Sequence, residues 1–419
     1  MILYGDGRIA LAGDRATAEM LGWAPRQRSA GEPEAVLHPR HGDPTSEPWI
    51  TPPGWAGGAG AAGIALRRKG DGRWHYQLGV HGVIRDLARL SRPRPVAWRV
   101  AVAGLGRVGG TAAAAMATVP TGRSGIAELI LCDADGANLE RCYLELQSVA
   151  QWRGRAGLPR VTKAGLDEVF RRCDAFVFAA TTSVPPLGTE GDVRHVQFGP
   201  NREILRPYLA QARRDEFDGL FLMVSDPVEI LALAAFHDSN DDHGRFTGAG
   251  LAPERIAGLA LGVMWGRALA EARRAGWDYV AKRGAAFGPH SAEVVVFDDI
   301  GHPDEARSAA LSAAAREGNF DLRRMGFLPY VGPALSSIAL TLPRLLRGHE
   351  ALASVFLAGV YFGAPAKLDW GIFPVVRRLG AGVQRTLDGV HASLLERARS
   401  AGVAPAQAGR SLEWGPHRG

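Results

Sequence analysis

The sequence predicts an α/β protein: a parallel sheet wound on both faces by helices, followed by an α+β region and preceded by a small β-containing extension. Three observations carry this. From Trp98 onward, apolar runs alternate with helix-like stretches at the pace of βαβ units. The first run ends in a glycine-rich turn that leads straight into an alanine-rich stretch. The runs are apolar throughout rather than alternating, as strands covered on both faces must be.

In chain order, WRVAVAG (98–104) is the first strand and TAAAAMA (111–117) its helix. IAELILCD (126–133) is the second strand, followed by the helical pattern of LERCYLELQSVAQW (139–152). DAFVFAAT (174–181) and GLFLMVSDP (219–227) are further strands, separated by a helix over 201–214. After a polar insertion at 237–245, the pattern predicts one long helix over 254–274 and strands around 279–287 and 293–297. Helices are expected at 303–316 and 333–347, then two strand-like runs, VFLAGVYFG and GIFPVVRRLG, and a terminal helix over 385–400. Ahead of all this, MILYGDGRIAL reads as a hairpin around Gly5-Asp6-Gly7, and GRWHYQLGVHGVI as one or two strands. The Pro- and Gly-rich stretch 25–62 between them reads as loop, and SRPRP (91–95) as a domain boundary. The expected division is 1–95 as the extension, 96–248 as the doubly wound domain, 249–400 as a second domain and 401–419 as a disordered tail.

A chain of 419 residues can build two or three domains, each with a sizeable core. No run of about 18 uncharged apolar residues appears, which argues against a membrane span, and MILYGDGRIALAGDR lacks a signal peptide's apolar run. The expected location is the cytoplasm. Three cysteines, Cys132, Cys142 and Cys173, are too few for a disulfide framework and show no zinc-ligand spacing. The net charge of +6 is almost all arginine, with lysine only at positions 69, 163, 282 and 367. The Arg–Arg doublets are scattered among acids, so no basic stripe suited to nucleic acid emerges.

The turn Gly104-Leu-Gly106-Arg107-Val108-Gly109 carries the dinucleotide fingerprint of a Rossmann-type fold. The first glycine permits the tight turn, the second lets backbone approach a pyrophosphate, and the third lets helix and strand pack closely, with the phosphates on the helix N-terminus. Asp133 ends the second strand 24 residues after Gly109, where an acid would accept the ribose hydroxyls and repel a 2′-phosphate. NAD is therefore expected rather than NADP.

With these features in place, residues 98–400 resemble the lactate/malate dehydrogenase family. ELILCD followed by LELQ is similar to the family's second strand and the helix after it. Arg194, seven residues before Asn201, matches the mobile-loop arginine and the asparagine of the next helix. SDPVE (225–229) stands at the family's S/N-N-P-V-D, GLAPERIAGLALGVMWGRALAE (250–271) follows its G-x-P-x-x-R-V-I-G helix, and GPH (288–290) matches the segment bearing the catalytic histidine. The resemblance implies a guanidinium from Arg267 gripping a substrate carboxylate. It implies His290 as the proton donor and acceptor, with Arg194 polarising the carbonyl as its loop closes. It also implies Asn201 at the substrate, Ala180 and Thr181 beside the cofactor, and a homodimer. His195 is read as incidental.

The chain departs from the family's pattern at several of these places. Met264 replaces the aspartate that pairs with the histidine, Asp226 replaces the asparagine of N-P-V-D, and Thr181 replaces a glycine. Gly188 and Thr189 stand where the family sets malate or lactate specificity. The expectation is a divergent NAD-dependent oxidoreductase acting on a 2-oxo or 2-hydroxy acyl group, either a small molecule or one carried on a larger carrier or peptide. Asp226 would then take over as the carboxylate partner of His290, as in a triad. The alternative is a non-catalytic NAD-binding scaffold or partner subunit.

Overall fold

The structure is a computed structural model, which describes residues 3–5, 9–12, 35–39, 64–68 and 74–78, and then 95–403 apart from 153–156, 183–192, 243–244, 247–249, 358, 369–370 and 376–378. The five early segments are strands: β1 (Leu3–Gly5), β2 (Ile9–Ala12), β3 (Ala35–Pro39), β4 (Ile64–Arg68) and β5 (Trp74–Leu78). They form one sheet in the order β1-β2-β3-β5-β4. The β1–β2 pair is antiparallel; the expected turn at Asp6-Gly7 lies outside the described residues. Strand β3 corrects the reading of 25–62 as loop throughout: it pairs parallel with β2 and β5. Five residues between proline- and glycine-rich flanks are too short a run to show a period in the sequence.

The doubly wound part begins with β6 (Trp98–Ala103) and α1 (Arg107–Ala117), then a single turn, α2 (Thr121–Ser124). It continues through β7 (Ile126–Cys132), α3 (Gly136–Trp152), β8 (Arg160–Lys163), α4 (Val169–Arg172), β9 (Ala175–Phe178) and α5 (Val193–Arg214). After them come β10 (Leu220–Met223), α6 (Val228–Asn240), a small hairpin β11 (Asp241–Asp242) and β12 (Arg245–Phe246), and β13 (Ile256–Gly258). Strands β8-β7-β6-β9-β10-β13 are all parallel neighbours, so the order in chain terms is 3-2-1-4-5-6.

Alternate residues of the central strands feed two different cores. Ala101, Phe176, Phe178, Phe221 and Met223 join the cluster under α5 and α6. Val100, Val102, Val177, Leu220 and Leu222 join the cluster under α1 and α3. Period-2 geometry sends each strand's side chains to both faces, which is why these strands read as unbroken apolar runs. The first cluster is aromatic at its centre, where Phe176 packs against Phe170, Phe221 and Tyr208 at 4.6, 5.1 and 5.6 Å between ring centres.

Strand β13 corrects the single helix expected over 254–274. Ile256–Gly258 pairs with Phe221–Met223 of β10, and helix α7 starts only at Leu261 and runs to Arg274. A side chain at Gly258 would come 2.5 Å from Val228 and 2.9 Å from Ser354, so the residue belongs to a crowded strand crossing. The sixth strand therefore lies beyond the boundary drawn at 248/249.

The rest comprises α8 (Val280–Arg283), β14 (Ala285–Phe287), β15 (Val295–Phe297), α9 (Glu305–Arg324), a π-helical stretch (Pro333–Ala339) and α10 (Thr341–Leu346). Strands β16 (Ala351–Leu357), β17 (Val360–Leu368) and β18 (Ile372–Pro374) and helix α11 (Ala381–Ser400) complete it. The run around 279–287 is thus a helical turn followed by a three-residue strand. β16, β17 and β18 extend the parallel sheet antiparallel beyond β13, giving nine strands among the described residues. Ser337 ties the π-helical stretch to the start of α7: its hydroxyl accepts from the Val263 N–H (3.1 Å) and donates to the Ala260 carbonyl (3.0 Å). Among the described residues no helix is long and apolar enough to cross a membrane. The expected tail, from residue 404 on, lies outside the described residues.

Candidate active site

The glycine-rich turn sits at the carboxyl end of β6, between β7 on one side and β9 on the other, where the strand order reverses. Gly104 has φ +86°, and a β-carbon there would lie 2.4 Å from the backbone of Ala180. The turn therefore rests directly on the end of β9. A β-carbon on Gly109 would fall 2.0 Å from the Gly104 carbonyl oxygen, which holds the first turn of α1 against β6. Gly106 differs: nothing lies within 4 Å of the β-carbon position. The opening of α1 has no acidic side chain in its first turn and no side-chain cap. A close backbone floor, an open step and an uncapped helix start are the features a pyrophosphate needs. The residues present fit a dinucleotide.

Asp133, at the end of β7, also holds the glycine turn itself. Its Oδ2 accepts from the Leu105 N–H (2.7 Å) and the Asn138 side chain (2.9 Å), and its Oδ1 accepts from the Asp135 N–H (2.9 Å). Three of about four lone-pair sites are thus committed, and the carboxylate braces the glycine turn, with capacity for one further donor. Asn138 completes the brace by donating to the Leu105 carbonyl (3.2 Å).

At the ends of β9 and β10 a second brace forms. Asn201 is fully buried. Its Oδ1 accepts from the Thr181 hydroxyl (3.1 Å) and the Thr182 N–H (3.2 Å), while its Nδ2 donates to the Asp226 carbonyl (2.8 Å). Asn201 therefore ties two strand ends together. The Ser225 hydroxyl donates to the Ala180 carbonyl (2.6 Å), fixing the same rail. Helix α5 begins at Val193, eight residues before the expected start, and runs through Pro200. Arg194 falls in its first turn, but the side chains of Arg194 and His195, like Gly188 and Thr189, lie outside the described residues.

Arg267 and Met264 occupy one face of α7, three residues apart. Met264 is fully buried. The Arg267 guanidinium donates to the Ala315 carbonyl of α9 (3.2 Å) and lies 3.7 Å from the Met264 sulfur. The aliphatic stem of Arg267 fills the space beside Gly318, where a β-carbon would lie 2.9 Å from its Cδ.

His290 stands between β14 and β15. Its backbone N–H donates to Oε1 of Glu229 (3.1 Å), which also accepts from the Ser354 hydroxyl (2.8 Å). Glu229, in SDPVE, is a buried contact of the histidine segment that the motif-level reading passed over. Burial pushes its carboxyl above the ordinary range, against the opposing effects of Ser354, the His290 N–H and the Arg397 charge. The signal in sequence was a carboxylate in the first turn of an otherwise apolar helix, VEILALAAF. Asp226, expected as the partner of His290, lies three residues earlier and anchors Asn201 through its backbone carbonyl. Among the described residues no cluster of metal-ligating side chains occurs.

This arrangement, a 3-2-1-4-5-6 parallel sheet with a glycine turn at its switch point and an antiparallel continuation bearing the histidine segment, defines a class of two-part α/β proteins. No family model matches the chain. An L-lactate dehydrogenase of Corynebacterium efficiens is 30% identical over 153 residues, 36% of this chain and 44% of that one. L-lactate dehydrogenase 2 of Lactococcus lactis is 29% identical over 152 residues, 36% of this chain and 45% of that one. The chain thus spans less than half the length of the curated relatives it matches. In fold the match is longer. A minor L-lactate dehydrogenase of Enterococcus mundtii, with ligands bound, superposes with TM-score 0.58 at 19% identity, covering 73% of this chain and 98% of that one. A malate dehydrogenase of Archaeoglobus fulgidus in complex with NADH gives 0.60 at 18% identity, over 73% and 99%. A malate dehydrogenase of Plasmodium falciparum gives 0.60 at 17%, over 73% and 98%. Over about 73% of its length the chain therefore has the fold of these lactate and malate dehydrogenases.

Proposed function

We propose that the protein is an NAD-dependent oxidoreductase that acts on a 2-oxo or 2-hydroxy acyl substrate. The observation that carries this is the glycine turn: Gly104 and Gly109 are packed to backbone contact while Gly106 is left open over the start of α1. Backbone from Gly106, Arg107, Val108 and Gly109 would hold the pyrophosphate, and Ala180 and Thr181 would flank it across the turn. The remaining acceptor site of Asp133 would take one ribose hydroxyl, which favours NAD(H) over the 2′-phosphorylated form. When bound, the nicotinamide supplies or receives the hydride.

The chain's own residues would do the rest. His290 would hold or release the proton of the substrate oxygen at a ring nitrogen. Arg267, moved off Ala315, would offer its fork to the substrate carboxylate, and Arg194 would act from the start of α5. Met264 makes the ground beneath Arg267 apolar where the family has a carboxylate, so the histidine has no acid at that position. A substrate on a carrier or peptide and a homodimeric assembly are parts of the same proposal.

One observation favours a second reading, an NAD(H)-binding scaffold without turnover: the Arg267 guanidinium is committed to a helix carbonyl beside a buried methionine. Titration with NADH by fluorescence, followed by a panel of 2-oxo acids at the nicotinamide absorbance, separates the two. Tight binding with turnover that His290→Gln abolishes supports the oxidoreductase. Tight binding with no turnover favours the scaffold, and no binding overturns both.

A further inference from the structure

The segment bearing His290 is gripped by the C-terminal helix through one of its faces. Gly288, with φ +89°, is wedged in the chain: its N–H donates to the Gly363 carbonyl of β17 (2.9 Å), and a β-carbon on it would lie 3.1 Å from Val390 of α11. On the other side of the histidine, Arg397 of α11 is paired with Glu293 at 2.9 Å and donates to the Ser291 hydroxyl at 3.3 Å. The Ser393 hydroxyl donates to the other Glu293 oxygen. Val390, Ser393 and Arg397 are spaced by three and four residues, one stripe of a helix. The next stripe, Val383, Leu387, Leu394 and Ala398, is buried in the main core, so the gripping face has no freedom to roll away. Within the segment, the Glu293 N–H donates to the Ser291 Oγ (3.2 Å) and the Val294 N–H to the Ser291 carbonyl (3.2 Å), so Ser291 passes the hold of Arg397 to the residue after His290.

We propose that Arg397 is a positioning residue for His290: with Glu229 holding the histidine's backbone N–H from α6, Arg397 fixes Ser291 and Glu293 and so sets where the imidazole stands. The inference rests on the reading of His290 as the proton-handling group. Arg397 touches neither the imidazole nor the glycine turn among the contacts described, so it acts through the segment. Its charge also acts on Glu229 from across that segment, which makes the two clamps one unit.

The test is histidine-ring NMR on the full chain with 15N-labelled histidine, the His290 signals being assigned by their loss in His290→Gln. Arg397→Ala is expected to move or broaden the His290 ring signals while the other histidines stay in place. Arg397→Lys, which keeps the cation on Glu293, is expected to restore most of the parent spectrum. NADH affinity should stay within twofold in both. If Arg397→Ala fails to fold, Ser393→Ala, which removes one hydroxyl from Glu293, is expected to give the same displacement in smaller degree. Parent-like His290 signals in the folded variants would overturn the proposal, and so would a failure of lysine to restore them. The spectrum decides without any substrate: a protein that turns over no 2-oxo acid, yet shows the displacement, loses the functional reading and keeps the positioning one.

Discussion

Replacing Gly104 and Gly106 separately with alanine gives opposite outcomes in a turn only three residues long, and the difference comes from the structure. At Gly104 the backbone has φ +86° and the new β-carbon would stand 2.4 Å from the Ala180 backbone. A left-handed alanine costs about 1–2 kcal/mol, and displacing packed backbone adds roughly 1–3 kcal/mol. Gly104→Ala is therefore expected to lose about 2–5 kcal/mol of stability and to bind NADH poorly as a consequence of a shifted turn. At Gly106 φ is −69° and the β-carbon meets nothing within 4 Å. The folded protein accepts it sterically; the freedom lost by the unfolded chain, roughly 0.4–1 kcal/mol, is offset by alanine's poorer fit at a helix N-cap, so stability should change by less than about 1 kcal/mol. The new methyl stands where the pyrophosphate would approach, so NADH affinity should fall at least tenfold, about 1.4 kcal/mol. Urea unfolding and NADH fluorescence titration on both variants read the two quantities separately. If Gly106→Ala binds NADH as tightly as the parent, the open step is not a phosphate site and the cofactor argument fails.

Three further outcomes follow from other parts of the molecule. Burial raises the Glu229 carboxyl above its ordinary 4.5, so its contribution to stability is fully present below that pH and is lost as pH rises through the folded value. The melting temperature of Glu229→Gln should accordingly gain on the parent between pH 4.5 and pH 8, and a constant difference across that range would contradict a raised carboxyl. The three cysteines are buried, with Cys132 pushed up to about 11 by burial first and the nearby Asp133 charge second, and Cys173 pushed higher still. A thiol reagent at pH 8 should leave Cys132 and Cys173 unlabelled in the folded chain and modify all three cysteines in denaturant; fast native labelling of either would refute the packing described. Phe176→Ala, at the centre of the aromatic core, should cost about 3–5 kcal/mol in urea unfolding without changing the NADH affinity of the fraction that remains folded.

The parallel sheet was legible because its strands are buried on both faces and its helices carry strong alanine and leucine patterns. WRVAVA, AELILC, AFVF and LFLM read as strands covered on both faces. The strand Ile256–Gly258 was not legible, because three residues between the short turn Pro253–Arg255 and a helix carry no period of their own. It exists because β10 and β16 pair with it from both sides. The start of α5 was misplaced because proline usually marks a helix boundary, whereas Pro200 lies inside this one. In the site, the glycine turn could be read from spacing, since each glycine has a steric reason. The roles of Asp133 and Asn201 could not, because a motif gives a residue's place but not which donors and acceptors its neighbours have already used. Glu229 stayed hidden for the same reason: its partners, Ser354 and the His290 backbone, lie 125 and 61 residues away in the chain.

The central claim is that this chain passes a hydride between NAD(H) and a 2-oxo or 2-hydroxy acyl group with His290 handling the proton. Its most direct test is label transfer: NADH deuterated at the transferring position of the nicotinamide is incubated with the protein and a pooled set of 2-oxo acids, and the products are read by mass spectrometry. A 2-hydroxy product carrying one deuterium is expected from the parent and not from His290→Gln. NADH that binds tightly and returns no labelled product from any member of the pool, carrier-bound acyl groups included, would contradict it.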